Sequence, residues 1–594
     1  MLEWIVQAGP AAVFFFKLRR NIALEGDLAL AERELRAFLP GGVAPVADLA
    51  GVVRDFPELG NLPGVRAPGA DCRPAGIQGY RATAPLSLLP ELAARVSFVS
   101  RIYAISREAG TVADVAPHYL LCELSDVVVR RARSAAEVPG ALAALREALE
   151  TGHGDLSALG AAQTTSHLFH DLHYYKAKFF PRMVRSTLNV GARALGLATP
   201  RVVDPFAGSG TTLLEASLLG MPGDGYDLDP LAVLIAGAKV DALHGRGAGG
   251  PPALPGSELS SRPEGGVAGA PIAFPAWLVK NRRFTPDVRR QLEREIHDVR
   301  RLLADAPPEC LPLYRVIVSD AISRRIRMRL LGTGVGRFSL AFSKATLAQL
   351  AEKNLARVPR IAAATRWLAD NLPLRLAPAM VHQGDARALP AATGPFDLLV
   401  TSPPYLPASS GRETYAKARV LSFLALGVLE RDRIDDLVDS AVGSMDAGSL
   451  SGELPPEEQA LVDWLAADQL RAIKAVPTAR YFEDMRACFQ QMRRILAPGG
   501  VAVVVSGRQS TFYQFATREP LYVAPTARLL AEAAERAGLE RESLIDVPLA
   551  KANKNARPRS LDDYYETLIV LRQPAGAGAP AGPTGDPAGS LASR

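Results

Sequence analysis

Apolar residues recur along this chain in two spacings, and their order predicts a protein of mixed strands and helices. The nearly continuous apolar run over residues 13–18 predicts a strand, and spaced apolar positions over residues 26–38 predict an amphipathic helix. The pattern predicts a second helix over residues 88–103. Residues 1–150 are therefore expected to form an N-terminal α/β module that binds a partner or supports the rest of the chain.

From residue 167 the pattern becomes that of βαβ units, in which strands alternate with helices. A strand ends at Asp204, a glycine-rich turn and a helix over 211–219 follow, and a second strand ends at Asp227. Four more strands are predicted over residues 379–381, 398–401, 501–506 and 567–571, with a long helix over 481–496. This order is typical of a Rossmann-like α/β sheet.

Composition narrows the class of protein further. The chain has 594 residues, 48% of them hydrophobic and 22% charged, which is typical of a globular protein with two or three domains. The net charge of +6 permits a nucleic-acid partner. Four scattered cysteines predict a reducing cytoplasm and neither a disulfide nor a metal site. The chain shows no signal peptide and no apolar stretch of spanning length, so we expect no membrane segment.

A glycine-rich turn with the sequence DPFAGSGTT occupies residues 204–212, between a predicted strand and a predicted helix. Glycines let a ligand approach the backbone, and a helix N-terminus offers unpaired N–H groups to a carboxylate or phosphate. A carboxylate at the strand end would repel a pyrophosphate and attract an ammonium. S-adenosylmethionine (SAM), which carries an ammonium, a sulfonium and a carboxylate, therefore suits the turn better than NAD. The expected cofactor contacts here are Asp204, Phe206, Gly208, Gly210 and Thr211; the alternative is a plain βα turn.

Two further acidic residues follow strands downstream of this turn. Asp227 can accept hydrogen bonds from both ribose hydroxyls of a nucleoside cofactor. Asp229 is the second candidate for that role, although a helix N-cap before Pro230 explains it better. Asp385, after the strand predicted at 379–381, is expected to accept from the adenine amino group, with a simple turn as the alternative.

The most informative motif is Thr401-Ser402-Pro403-Pro404-Tyr405, which directly follows a predicted strand. A small polar residue, two prolines and an aromatic ring form a rigid pocket that can hold a planar nucleobase by its exocyclic amino group. The alternative is an X-Pro-Pro turn at the end of a buried strand. The ordered set of motifs ahead of this loop favours the nucleobase pocket.

Taken in this order, the motifs resemble those of the SAM-dependent amino-methyltransferases of nucleic acids, and the TSPPY form resembles the N4-cytosine-specific DNA methyltransferases. Residues 173–181 (HYYKAKFFP) resemble the segment that precedes the glycine-rich turn in these enzymes, which implies cofactor contacts for Lys178 and Phe179. Residues 415–427 resemble the stretch that follows their catalytic motif. The resemblance implies SAM as cofactor and a Rossmann-like SAM-dependent methyltransferase sheet.

The resemblance also implies a mechanism. Ser402, through its hydroxyl, and Pro403, through its carbonyl, would accept from the two amino hydrogens and localise the nitrogen lone pair. Tyr405 would stack on a base flipped out of its duplex, and Pro404 completes the catalytic motif. Methylation at carbon 5 would need a cysteine nucleophile, and the chain has no Pro-Cys pair.

The spacing of the motifs predicts the domain organisation. Asp227 and Asp385 should follow adjacent strands, yet roughly 150 residues separate them where about 20–30 would suffice. The excess predicts a loop and helical insertion, which is our candidate for target recognition. Its phosphate contacts are expected at Arg324, Arg325, Arg327 and Arg329, with a solvated helical face as the alternative. The expected parts are 1–150, the SAM-binding half 167–245, the insertion 246–375, the catalytic half 376–572 and a disordered tail 573–594.

The sequence therefore predicts a cytoplasmic DNA (cytosine-N4-specific) methyltransferase, with a restriction endonuclease as a possible partner. DNA N6-adenine methylation is the alternative closest in chemistry. The N-terminal module weakly resembles the start of tRNA guanine-N2 methyltransferases, so tRNA is the alternative substrate. A SAM-binding regulator of nucleic acids is the alternative that is not an enzyme.

Overall fold

A computed structural model of the chain describes residues 9–19, 22, 25–39, 41–47, 49–58, 76–151, 167–175, 178–247, 272–304, 306–330, 338–406, 413–429, 431–444, 453–514, 517, 519–548 and 565–575. The tail predicted from residue 573 lies almost wholly outside these residues, as does most of the loop expected at the start of the insertion.

The strands alternate with helices through most of the chain. The strands are β1 (Ala11–Leu18), β2 (Ala44–Val46), β3 (Gly79–Pro85), β4 (Val99–Ser106), β5 (Thr111–Val115), β6 (Val202–Asp204), β7 (Gly223–Asp227), β8 (Ile326–Leu330), β9 (Phe338–Phe342), β10 (Ala379–Gln383), β11 (Phe396–Thr401), β12 (Leu496–Gly507), β13 (Ser510–Tyr513), β14 (Pro520–Ala524), β15 (Glu540–Pro548) and β16 (Tyr565–Arg572). The helices are α1 (Glu25–Phe38), α2 (Leu49–Asp55), α3 (Leu89–Arg95), α4 (His118–Arg131), α5 (Glu137–Thr151), α6 (Pro181–Ala194), α7 (Thr211–Leu218), α8 (Pro230–Leu243), α9 (Ala276–Val279), α10 (Pro286–Ala304), α11 (Leu311–Arg325), α12 (Leu347–Leu355), α13 (Val358–Asn371), α14 (Glu413–Leu426), α15 (Arg431–Ser440), α16 (Pro456–Ala467), α17 (Ala475–Ile495) and α18 (Thr526–Arg536).

The larger sheet has seven strands in the order β10-β7-β6-β11-β12-β16-β15. The first five strands of that order run parallel, and β16 is antiparallel to both of its neighbours. The strand order reverses direction between β6 and β11, which makes their carboxyl ends the switch point where such sheets bind ligands. The predicted Rossmann-like fold class is confirmed by this topology.

The N-terminal module is a separate five-stranded sheet in the order β2-β3-β1-β4-β5, with antiparallel pairs throughout. Its apolar residues share one core with α6 and one face of the larger sheet; Phe16, Leu188 and Val503 are all buried there. Buried polar contacts cross the same junction, because Arg182 of α6 pairs with Glu123 of α4 at 3.1 Å. The module is therefore packed against the larger sheet, and its predicted role in binding or support stays a prediction.

One predicted helix in this module is wrong in its second half. The helix expected over 88–103 ends at Arg95, and the strand Val99–Ser106 follows. That strand pairs with β1, where Phe14 lies opposite Ala104. The local apolar spacing fits either a helix or a strand. Pairing with a buried neighbouring strand makes this segment a strand.

The insertion lies between β7 and β10 and is mainly helical, as predicted, with one unpredicted hairpin of β8 and β9. Its helices α10 to α13 share a hydrophobic core with α4, α5, α8 and α14. Since this core joins the insertion to the N-terminal module, the predicted domain limits stay predictions. The opposite face of the larger sheet is covered by α16, α17 and α18.

Candidate functional site

The candidate site lies where β6 and β11 end side by side. Asp204 is the last residue of β6 and is buried, and its Oδ1 accepts from the Thr401 hydroxyl at 2.5 Å and from the Phe206 amide at 3.0 Å. Burial raises the pKa of Asp204 to about 6. The first residue of the TSPPY motif is therefore hydrogen-bonded to the first residue of the glycine-rich turn.

The glycine-rich turn has a backbone that requires glycine at two positions. Gly208 and Gly210 have φ angles of +51° and +80°, which L-residues with a side chain rarely adopt. A Cβ on Gly208 would lie 3.6 Å from the Tyr175 ring, so this ring stands over the turn. Helix α7 begins at Thr211 without a side-chain cap, which leaves its first N–H groups available to an anion.

Asp227 lies opposite this turn at the end of β7. Its Oδ2 accepts from the Gly208 amide at 2.8 Å, and its Oδ1 accepts from the Asp229 amide at 2.9 Å. Burial, and then the negative charge of Asp229, raise the pKa of Asp227 to about 6. A partly buried carboxyl of this kind is suited to bind neutral hydroxyl donors.

Asp229 has the helix N-cap role that its position before Pro230 suggests. Its Oδ1 accepts from the Leu231 amide at 2.8 Å, and its other oxygen pairs with Arg419. The Arg419 guanidinium lies 4.5 Å from the centre of the Tyr175 ring. Sequence reasoning assigned no role to Arg419 or Tyr175, although both lie in segments identified by resemblance.

Asp385 follows β10, and the predicted adjacency to Asp227 is confirmed, because Gln383 of β10 pairs in register with Asp227. Both oxygens of Asp385 accept from the Arg387 side chain, at distances of 2.6–3.1 Å. Burial would raise the pKa of Asp385, but these hydrogen bonds outweigh it and lower the pKa. Arg387 also reaches Asp484 at 2.9 Å. The sequence missed this partner, and the adenine contact of Asp385 stays a prediction.

The loop of Ser402, Pro403, Pro404 and Tyr405 forms the rim of the site. The Tyr405 ring is 40% exposed, and its hydroxyl donates to Oε1 of Glu566 at 2.9 Å. Both prolines are at least partly buried, so the loop presents one polar group and one exposed ring.

Lys178 and Phe179 contact protein on the inner side of the turn. The Lys178 Nζ donates to the His170 carbonyl at 3.0 Å, and burial lowers the pKa of Lys178 to about 8. Phe179 packs against the core shared with the N-terminal module. Their predicted cofactor contacts stay predictions.

A buried cluster holds this inner segment against α7. Among the residues that the structure describes, His167, His170 and Glu215 could share a metal ion, since their ligand atoms lie within 4.8 Å of one another. Arg185 already pairs with Glu215 at 3.3 Å, and the buried Lys239 lies close to His170. Burial lowers the pKa of His170 to about 3. The local charge therefore favours a neutral histidine and an ion pair over a bound cation.

The four arginines predicted to contact phosphate have different surroundings. Arg325 is buried and pairs with Glu295 at 3.2 Å, so its charge is used inside the protein. Arg324 is 44% exposed and donates through Nε to the buried Asp320 at 2.6 Å. Arg327 is exposed on β8. The side chain of Arg329 lies outside the described part of the chain.

Asp320 also binds the backbone of Tyr174, an exposed aromatic residue. Its Oδ1 accepts from the Tyr174 amide at 2.7 Å, and Tyr174 is 60% exposed. One buried carboxylate therefore contacts both the Tyr174 backbone and the Arg324 side chain. Tyr174 directly precedes Tyr175, whose ring stands over the glycine-rich turn.

Comparison with known sequences gives one short match. No protein-family model matches this chain. A segment of 86 residues is 37% identical to the type II methyltransferase M.MjaII of Methanocaldococcus jannaschii. The match spans 14% of this chain and 14% of that relative.

Several solved structures have distant likeness to the chain. TrmN from Thermus thermophilus is 12% identical, with 95% of this chain and 99% of that one covered and a TM-score of 0.28. The rRNA methyltransferase aviRa from Streptomyces viridochromogenes is 13% identical, with 71% and 96% covered and a TM-score of 0.23. A putative DNA modification methylase, also from Thermus thermophilus, is 17% identical, with 34% and 56% covered and a TM-score of 0.17. At such low scores, activity has to be argued from the site itself.

None of the helices in the described residues is long and apolar enough to cross a membrane.

Proposed function

We propose that this protein transfers the methyl group of SAM to an exocyclic amino group of a nucleobase, and that the target is N4 of cytosine in DNA. One observation carries the proposal above all others. The Ser402–Tyr405 loop begins next to the glycine-rich turn, to which the hydrogen bond between Thr401 and Asp204 joins it at 2.5 Å. A base held by this loop would therefore lie beside a cofactor held by the turn.

The residues at the switch point fit SAM. The carboxyl of Asp204 suits the ammonium, and the uncapped start of α7 at Thr211 suits the carboxylate. Asp227 would accept from the ribose hydroxyls, and Tyr175 would cover the cofactor at Gly208. When bound, SAM supplies an electrophilic methyl group on a sulfonium.

The base pocket acts on a weak nucleophile. The amino nitrogen of a nucleobase spreads its lone pair into the ring. Ser402 and the Pro403 carbonyl would accept from its two hydrogens, which localises that pair on nitrogen. Tyr405 would hold the base by stacking, so positioning and preorganised acceptors provide most of the rate. A base in a duplex must be flipped to reach this rim.

Tyr174 and Arg324 provide a surface for the nucleic acid. An exposed ring can stack on an unpaired base, and a guanidinium can bind a phosphate. We extend the surface to Arg327 and exclude Arg325, which is buried in its pair with Glu295. DNA is the proposed polymer, and a restriction endonuclease partner stays a prediction of the sequence.

Salt dependence tests this surface. The double variant Arg324→Gln/Arg327→Gln should reduce the slope of log K against log salt by about 1.8, because each lost phosphate contact removes about 0.9 from it. Binding to a DNA duplex between 50 and 200 mM salt, a range in which phosphate contacts change affinity strongly, measures the slope. The control Arg290→Gln/Arg301→Gln removes the same charge from exposed positions on α10. Equal slopes for the two double variants would contradict the assignment.

Cofactor affinity tests Asp227. Because the carboxylate must be ionised to accept two hydroxyl donors strongly, the affinity for SAM should fall as the pH drops below about 6, where Asp227 protonates. Asp227→Asn should bind SAM roughly 10- to 100-fold more weakly at pH 7.5. Part of the acid sensitivity should survive in this variant, since the pKa of Asp204 is also raised to about 6.

Calorimetric titration with SAM from pH 5 to 8 makes the measurement. Asp241→Asn is the matched control, because this exposed carboxylate lies near the far end of α8 and pairs with Arg246. An Asp227→Asn variant that binds SAM like this control would remove Asp227 from the site.

Product analysis tests the proposed function as a whole. The protein is incubated with SAM labelled in its methyl group and, in parallel, with unmethylated genomic DNA and total tRNA. The label is expected in DNA, as N4-methyldeoxycytidine. Label in N6-methyldeoxyadenosine would show that the target base is adenine in DNA. Label in N2-methylguanosine of tRNA would show that both the base and the polymer differ from those proposed.

A further inference from the structure

Glu566 is a carboxyl at the rim of the proposed base pocket that no sequence motif indicated. It is the second residue of β16 and lies opposite Gly507, the last residue of β12, in the antiparallel pair. This places it at the carboxyl edge of the sheet, where Tyr405 donates to its Oε1 at 2.9 Å. Glu566 is therefore joined to the loop that is proposed to hold the base.

This carboxyl has no cation to balance it among the residues that the structure describes. Tyr405 is its hydrogen-bond partner there, through one oxygen only. Arg508, which follows β12, pairs instead with Asp546 at 3.3 Å, and Thr567 donates to Asp546 at 2.6 Å. A partly buried carboxylate without a cation is costly, and entry of a base would remove more water from it. Burial already raises the pKa of Glu566.

The nucleobases differ in the ring atom beside their exocyclic amine. On the Watson–Crick edge, by which a flipped base is read, cytosine has the acceptor N3 and adenine the acceptor N1, whereas guanine has the donor N1–H. A neutral carboxylic acid can donate to a ring acceptor, while an ionised carboxylate can only accept. A protonated carboxyl at this position would therefore favour cytosine, and an ionised carboxylate would favour guanine.

We propose that Glu566 is a specificity-determining residue, which donates from its second oxygen to N3 of cytosine while its first oxygen accepts from Tyr405. The inference rests on the proposed function, because it assumes that the loop holds the base by its amine. The pair of Tyr405 and Glu566 would then contact the base on its face and on its edge. Guanine would be rejected, because its N1–H is a donor and would face the O–H donor of Glu566.

Two substitutions of Glu566 test the proposal. Glu566→Gln retains a donor in the same place, so kcat/KM on cytosine in DNA should stay within about threefold of wild type at neutral pH. Glu566→Ala removes the donor and should lower kcat/KM roughly 10- to 100-fold. Glu540→Gln, an exposed site at the opposite end of the same strand pair, is the control and should behave as wild type.

The pH profile separates this role from a structural one. In the wild type kcat/KM should fall as the pH rises through the pKa of Glu566, because the donor proton is lost. In Glu566→Gln this decrease of kcat/KM should be missing, because an amide does not titrate. Among the described residues, the other titratable groups near the pair are Tyr481, which is buried on α17, and the ion pair of Arg508 with Asp546. They remain in both variants. Melting temperature and SAM affinity establish that each variant is folded.

The nucleoside products distinguish failure of the inference from failure of the function. If wild type forms N4-methyldeoxycytidine and Glu566→Ala matches it, or if Glu566→Gln is as poor as Glu566→Ala, the inference is wrong and the function stands. If wild type forms N2-methylguanosine and Glu566→Gln abolishes this, the carboxylate accepts from guanine and both proposals are wrong.

Discussion

Replacing Tyr405 with alanine is expected to lower kcat for methyl transfer by about 10³- to 10⁴-fold while SAM affinity stays unchanged. Stacking on a base contributes roughly 1–3 kcal/mol, and a misplaced reacting atom costs about a further 100-fold. The ring is 40% exposed and hydrogen-bonded to Glu566, so it belongs to the base side of the site. Single-turnover transfer of labelled methyl to DNA and calorimetric titration with SAM measure the two quantities.

Tyr405→Phe is the matched control for this variant. It keeps the stacking face and loses only the hydroxyl that donates to Glu566, so its kcat should fall by no more than about tenfold. A Tyr405→Ala variant that loses SAM binding would place the ring against the cofactor instead. Equal losses in the alanine and phenylalanine variants would show that the hydroxyl, and not the ring, carries the effect.

Replacing Glu215 with glutamine is expected to lower the free energy of unfolding by about 3–5 kcal/mol, which is the cost of leaving a buried charge without its partner. Glu215 is fully buried and pairs with Arg185 at 3.3 Å and with His170 at 2.9 Å. Burial would raise the pKa of Glu215, yet its contacts with His167 and His170 hold that pKa well below its ordinary value. The carboxylate therefore stays ionised throughout the neutral range.

Urea denaturation followed by circular dichroism measures this loss. Glu150→Gln is the control, because Glu150 is exposed and pairs with Arg146 four residues away, a contact that contributes about 0.3–0.5 kcal/mol. A loss below about 1 kcal/mol for Glu215→Gln, the range of an exposed pair, would mean that the cluster does not anchor α7. Gain of stability on addition of zinc to the wild type would point to a metal site instead.

The larger sheet could be predicted from the sequence because its strands are short apolar runs that end in turn residues. Six of its seven strands are predicted within a few residues, from Val202–Asp204 to Tyr565–Arg572, and β15 is missed. Strand β15 begins with four polar residues, has no regular alternation of polar and apolar residues, and depends on its pairing with β16. The strand Val99–Ser106 overlaps a predicted helix because its ladder to β1 cannot be read from local spacing.

Residues of the candidate site could be predicted from the sequence only where they belong to a short motif of neighbouring residues. Asp204, Asp227 and the Ser402–Tyr405 loop meet at one edge because parallel strands end there together. Glu566 and Arg419 are 161 and 190 residues away from their partners Tyr405 and Asp229, so no spacing rule could join them. Arg325 shows the reverse case. The sequence suggests that its charge can bind phosphate, but in the fold this charge is paired with Glu295.

The central claim is that the Ser402–Tyr405 loop presents a nucleobase amine to SAM. The most direct measurement is mass spectrometry of nucleosides from genomic DNA and, in parallel, total tRNA, each treated with deuterated methyl-SAM and either wild type or Ser402→Ala. Deuterated N4-methyldeoxycytidine is expected from DNA with the wild type, and strong depletion of that product is expected with the variant. Absence of any deuterated nucleoside from DNA and RNA alike, in a preparation that binds SAM, would contradict it.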